Sequence, residues 1–124
     1  MIIEVSDSEL LDKLSILEVK KQKLTDPEKL KYVQHEFEHL SLKANTLDYS
    51  LDDESYVRLR EINFLLWDIE DEIRAKGDAE EYDDRFIQLS KSIYELNDER
   101  FRVKNAINKK TQSFFQEQKG HKNT

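Results

Sequence analysis

Residues 86–108 read FIQLSKSIYELNDERFRVKNAIN, and their spacing decides the architecture. Phe86, Leu89, Ile93, Leu96, Arg100, Val103 and Ile107 fall alternately three and four positions apart; Tyr82 extends the row upstream, and Lys110 and Phe114 extend it downstream. This alternation is the seam of a helix that packs in coiled-coil fashion on a neighbour. A second row, Ile87, Tyr94 and Phe101, runs beside it. One helix with two apolar rows touches two partners: two helices of its own chain, or one of them and another subunit. The helix is predicted from Ala79 to Gln116.

Upstream, Lys76-Gly77-Asp78 closes a third helix marked by Leu59, Ile62, Leu66, Ile69 and Ile73. Gly77 suits a left-handed C′ position, and Asp78, with Glu81 at N3, caps the fourth helix. So short a turn makes helices three and four antiparallel neighbours. Ser50-Leu51-Asp52-Asp53, with Ser50 or Asp52 as the cap of helix three, separates them from a second helix that begins at Asp26-Pro27 and presents Leu30, Val33, Phe37, Leu40, Ala44 and Leu47 on one face. The first helix, Asp7 to Lys23, is announced by Ser6 as N-cap, Glu9 at N3 and a Val5–Leu10 staple. The prediction is therefore an all-α domain over residues 1–118, four-helix bundle-like. A long antiparallel coiled-coil hairpin of helices three and four carries helices one and two, and residues 119–124 form a flexible tail.

Composition agrees. The chain has 124 residues and a net charge of −7. Leu, Ile, Val and Phe supply 35 residues, above the roughly one in five below which a charged chain stays unfolded. Two glycines and one proline are too few for the turns of a sandwich or barrel. The absence of cysteine removes disulfides, thiolate metal sites and cysteine nucleophiles. The longest apolar run, Phe64 to Trp67, is far too short to span a membrane, and Glu4 interrupts any leader-like core, so the chain reads as soluble and cytoplasmic. Charge is uneven: residues 1–51 sum to −3, residues 52–99 to −10 and residues 100–124 to +6. The basic end suits a helix C-terminus. With the whole chain acidic, nucleic acid is an unfavoured partner.

Polar residues interrupt the apolar pattern in a way that suggests a site. Arg100 sits in the seam of helix four and needs a partner or a groove, because an unpaired buried charge is costly. Asn63, Trp67, Glu70 and Arg74 form a stripe on helix three. Tyr94, Asn97, Phe101, Lys104 and Asn108 form a matching row on helix four, and helix one adds Glu18, near Asp12. As a pocket, these residues would hold a small anionic ligand on Arg100, Lys104 and Arg74, with Trp67 and Tyr94 as walls. The plainer reading, which ranks first, is an ion-pair network that fixes helix register, with Glu18 and Glu70 neutralising the bases.

DKLSILEVK (residues 12–20), LREINFLLWDIEDEIR (residues 59–74) and the stretch at 86–108 resemble a family of short bacterial helical proteins with no established activity. The resemblance implies a fold-sized helical unit and no chemistry. Three local patterns resemble enzymes. His35-Glu36-Phe37-Glu38-His39 resembles the zincin metalloprotease motif, in which His35 and His39 would chelate zinc and Glu36 act as base; Glu54 or Glu61 would have to supply a third ligand. Asp68-x-x-Asp71 and Glu80-x-x-Asp83 resemble the magnesium-binding carboxylates of all-helical nucleotide pyrophosphohydrolases. Leu96 to Lys104 resembles the first helix of helical chorismate mutases, although here it comes last. The leading expectation is a non-catalytic interaction or assembly module that associates with itself or another protein and needs no cofactor. The anionic-ligand pocket is second, and zinc or magnesium sites stand behind it.

Overall fold

A computed structural model describes residues 5–111. They form four helices: α1 (Asp7–Lys23), α2 (Pro27–Ala44), α3 (Glu54–Asp78) and α4 (Asp84–Thr111). There is no strand among the described residues. Phe114, the predicted end at Gln116 and the tail at 119–124 lie outside them.

Each start has a local cause. The Ser6 hydroxyl accepts the Glu9 N–H at 3.3 Å, Asp26 accepts from Glu28 N–H at 3.0 Å, and Asp53 accepts from Ser55 N–H at 3.0 Å. These satisfy amides that have no intrahelical acceptor. Pro27 occupies the first turn of α2, where its missing N–H does no harm.

The turn between α3 and α4 differs from the expected one. Gly77 does not leave the helix; α3 runs through it to Asp78, and the left-handed residue is Glu80, with φ 57°. The amide of Glu81 reaches the Lys76 carbonyl at 2.8 Å, and that of Glu80 the Gly77 carbonyl at 3.0 Å, the two bonds of a Schellman stop. Asp83, not Asp78, then caps α4 by accepting the Phe86 N–H at 2.9 Å. The later turn aligns side chains that an earlier one would separate: Lys76 meets Asp83 at 3.0 Å, and Arg85 grips Glu72 with bonds of 2.8 and 2.9 Å.

Packing also differs from a hairpin with two helices laid on it. Helix α1 is the centre. Its buried residues, Ser8, Leu11, Asp12, Leu14, Ser15, Leu17 and Val19, cover more than one face. It touches α2 on one side and both α3 and α4 on the other, whereas α2 makes helix contact with α1 alone. The core lies at the end where α1 begins and α4 finishes, built from Leu11, Leu14, Ala44, Tyr56, Leu59 and Ile107. Phe37, Leu40 and Leu47 reach it from α2 and the turn after it. At the other end α1 stops level with Asp68, which its last residue, Lys23, contacts at 2.6 Å. Helix α3 continues for ten further residues, about 15 Å. That part of the α3–α4 hairpin projects past α1 as a two-helix arm.

Candidate functional site

Three elements converge where the sequence places its polar cluster, and the acid at the centre comes from α1. Asp12 is buried and accepts from Arg100 through both carboxylate oxygens, Nε to Oδ1 at 3.1 Å and Nη2 to Oδ2. Asn63 Nδ2 donates to the same Oδ1 at 3.0 Å and to the Ser15 hydroxyl at 2.7 Å. Lys104, only 5% exposed, donates to Glu9 at 2.5 Å and lies 3.8 Å from Asp12. One turn further along, the buried Asn108 accepts the Ser8 N–H at 2.9 Å and so caps α1 from across the bundle. Its amide nitrogen is buried without a hydrogen-bond acceptor among the described residues.

Of the residues singled out from sequence, Trp67, Glu70, Asn97 and Arg100 meet along one groove. Ile16 and Val19 of α1 complete its walls, and its volume is about 260 Å³. The groove lies just beyond the ties that join α1 and α4 at Asp12 and Glu9. Lys104 belongs to the network beneath the groove. Tyr94 and Arg74 are exposed and do not line it. Glu18 is elsewhere: it accepts the Tyr56 hydroxyl at 2.6 Å and lies 3.6 Å from Arg60. Burial, with the Glu18 carboxylate at its oxygen, pushes the Tyr56 phenol well above its usual range. The expected neutralising pair, Glu18 and Glu70, is thus replaced by Asp12 and Glu9.

The other ionic features tie helices together. Arg58 holds Glu99 through bonds of 2.6 and 2.7 Å, which keeps the Glu99 carboxyl below its ordinary value. At the base of the hairpin, Asp53 receives Tyr49 at 2.5 Å and Lys110 at 2.9 Å while capping α3. Burial alone would raise the Asp53 carboxyl, but these three donors outweigh it and hold it low.

The metal motifs are dispersed. His35 and His39 are exposed on α2, Phe37 turns toward the core, and Glu36 lies 3.4 Å from Lys13. Glu54 and Glu61 belong to α3, whose backbone does not approach that of α2. Asp68 is taken by Lys23, and Asp83 by Lys76 and the α4 cap. Among the described residues no group of three or more His, Asp or Glu side chains is gathered for a metal ion.

The helical likeness carried by residues 12–20, 59–74 and 86–108 extends over the whole chain. It belongs to a family of unknown function (DUF6165), matched over residues 1–124. No curated protein and no solved structure matches it. Among the described residues no helix is long and apolar enough to cross a membrane.

What sequence reasoning underweighted is the central role of Asp12 and Glu9. A signal exists: Ser8, Asp12 and Ser15 repeat at 4,3 spacing on α1, a polar stripe between apolar residues of a helix that is buried on both sides. Glu9 reads as a capping-box residue, yet its carboxylate reaches across to Lys104.

Proposed function

We propose that this protein is a non-catalytic helical module that acts by docking to a protein surface through its projecting arm. One observation carries the reading. Arg100 and Lys104, two of the three cations that a ligand pocket would use, are already engaged by acids of α1, while Tyr82, Ile87 and Tyr94 stand exposed at the arm and on the helix that leads from it. Exposed apolar side chains close together are characteristic of a surface that meets a partner.

A second reading, a small anionic ligand, rests on the groove, because Arg100 lines it as well as pairing with Asp12. A thermal-shift panel separates the two. Zinc, magnesium and manganese are each tested with and without nucleotides and dicarboxylates. A ligand at 100 times its Kd adds about 2.7 kcal/mol, a shift of several degrees in a chain this size. A flat panel is the expected result. A shift with one anion, abolished by Asn97→Ala, would overturn the docking reading in favour of the groove. A shift with zinc alone, abolished by His39→Ala, would move the site to α2.

A further inference from the structure

The docking reading leaves the partner open, and the inference here rests on that reading. We infer that the partner is a second copy of this chain, packed antiparallel along α4 about a two-fold axis beside Tyr94. Ile87 and Tyr94 are one heptad apart on α4 and are 62% and 66% exposed. One turn further along the helix, flanking them, runs a charged stripe: Asp84, Lys91, Asp98, Arg102 and Lys109, spaced 7,7,4,7.

The signs of that stripe select an orientation. Parallel copies would set each charge opposite its own duplicate, repulsive at every level. Antiparallel copies with Tyr94 facing Tyr94 bring Lys91 level with Asp98 and Arg102 level with Asp84, each within about half a helical turn. The two-fold makes every such pair twice. These groups are available: Asp84, Asp98 and Lys109 have no ion-pair partner among the described residues, and Lys91 has only Glu95, at 3.8 Å on the open surface. The acidic arm of each copy, nine acids against three bases over residues 68–85, then lies toward the other's basic end.

The chain has no cysteine, so Tyr94→Cys puts a single thiol beside the axis. Analytical ultracentrifugation of the full chain is expected to show a monomer–dimer equilibrium, and mild oxidation to cross-link Tyr94→Cys but not Lys29→Cys on α2. Lys91→Glu sets two like-charged pairs in the dimer, raising the dissociation constant about tenfold. Adding Asp98→Lys re-creates both pairs with signs exchanged and restores it. Circular dichroism verifies that each variant keeps its helices. A dimer that cross-links no better through Tyr94→Cys than through Lys29→Cys, or that the charge exchange fails to rescue, overturns this interface. A monomer at every concentration with a flat ligand panel overturns the second copy as partner and leaves the docking reading standing. An anion-dependent shift in the panel overturns the docking reading itself.

Discussion

Asp12 is the residue on which the bundle turns. It is almost wholly buried, and it joins α1 to α3 through Asn63 and to α4 through Arg100. Removing one member of a buried pair leaves the other's charge uncompensated, at about 3–5 kcal/mol. Asp12→Ala should therefore destabilise by roughly 3 kcal/mol in urea unfolding. Asp12→Leu combined with Arg100→Leu should recover at least half of that, because both charges leave together and apolar surface replaces them. Arg100→Ala alone should resemble Asp12→Ala. That Arg100 needed a partner was readable from its place in the seam. Which acid would meet it was not, because Glu70, Glu18 and Asp12 all lie within a helix diameter in any plausible bundle, and only the way α1 is inserted chooses among them.

At the scale of elements, the turn between α3 and α4 makes the sharpest test. Gly77 sits inside a helix, and a Cβ there would meet nothing within 4 Å. Gly77→Ala should stabilise by about 0.5–1 kcal/mol through the unfolded chain's lost freedom. Glu80 carries the left-handed conformation that glycine tolerates best, so Glu80→Gly should add roughly 0.5 kcal/mol. Both are read from thermal midpoints. The starts of α1 and α2 were legible because a cap is a local event, at Ser6 and Asp26; the Ser50–Asp53 break marks the start of α3, but its cap is Asp53 and not Ser50 or Asp52. The α3 stop was misread because glycine permits a turn without requiring one, and pairing of Lys76 with Asp83 and Glu72 with Arg85 decided otherwise. These pairings, with those of Asp53 and of Glu99 with Arg58, set the acid limit. Asp53, Glu72, Asp83 and Glu99 all sit below their ordinary values in the fold. Their contribution is complete above the unfolded carboxylate value of about 4 and disappears as pH falls through the lower folded values. The denaturation midpoint should hold steady from pH 7 to about 5 and fall toward pH 3. Asp53→Ala, which also removes a cap for about 1 kcal/mol, should make that fall shallower.

For the whole molecule, stability is unevenly distributed. The core gathers at Leu14, Tyr56, Leu59 and Ile107, while the arm beyond Asp68 is two helices without a third. Amides of residues 70–88 should exchange with solvent well before those of residues 56–62 and 103–107, measured by hydrogen–deuterium exchange with mass spectrometry. An arm protected as strongly as the core in a dilute, monomeric sample would contradict this arrangement. The heptad rows revealed four helices and an antiparallel hairpin. They did not reveal that α1 would lie between α2 and the hairpin, since a helix buried on both sides shows no single apolar face, and its polar stripe reads as surface until its partners are known. That placement has a consequence in time. The first helix made is the last to be satisfied: Glu9, Asp12 and the α1 amide at Ser8 wait for Arg100, Lys104 and Asn108, about ninety or more positions later in the chain. While the ribosome is still short of those residues, α1 can pair with α2 and α3 but not with the end of α4 that completes its polar network. Closure of the bundle therefore waits for α4, and a nascent chain halted before Arg100 carries its central acid without the arginine that completes it.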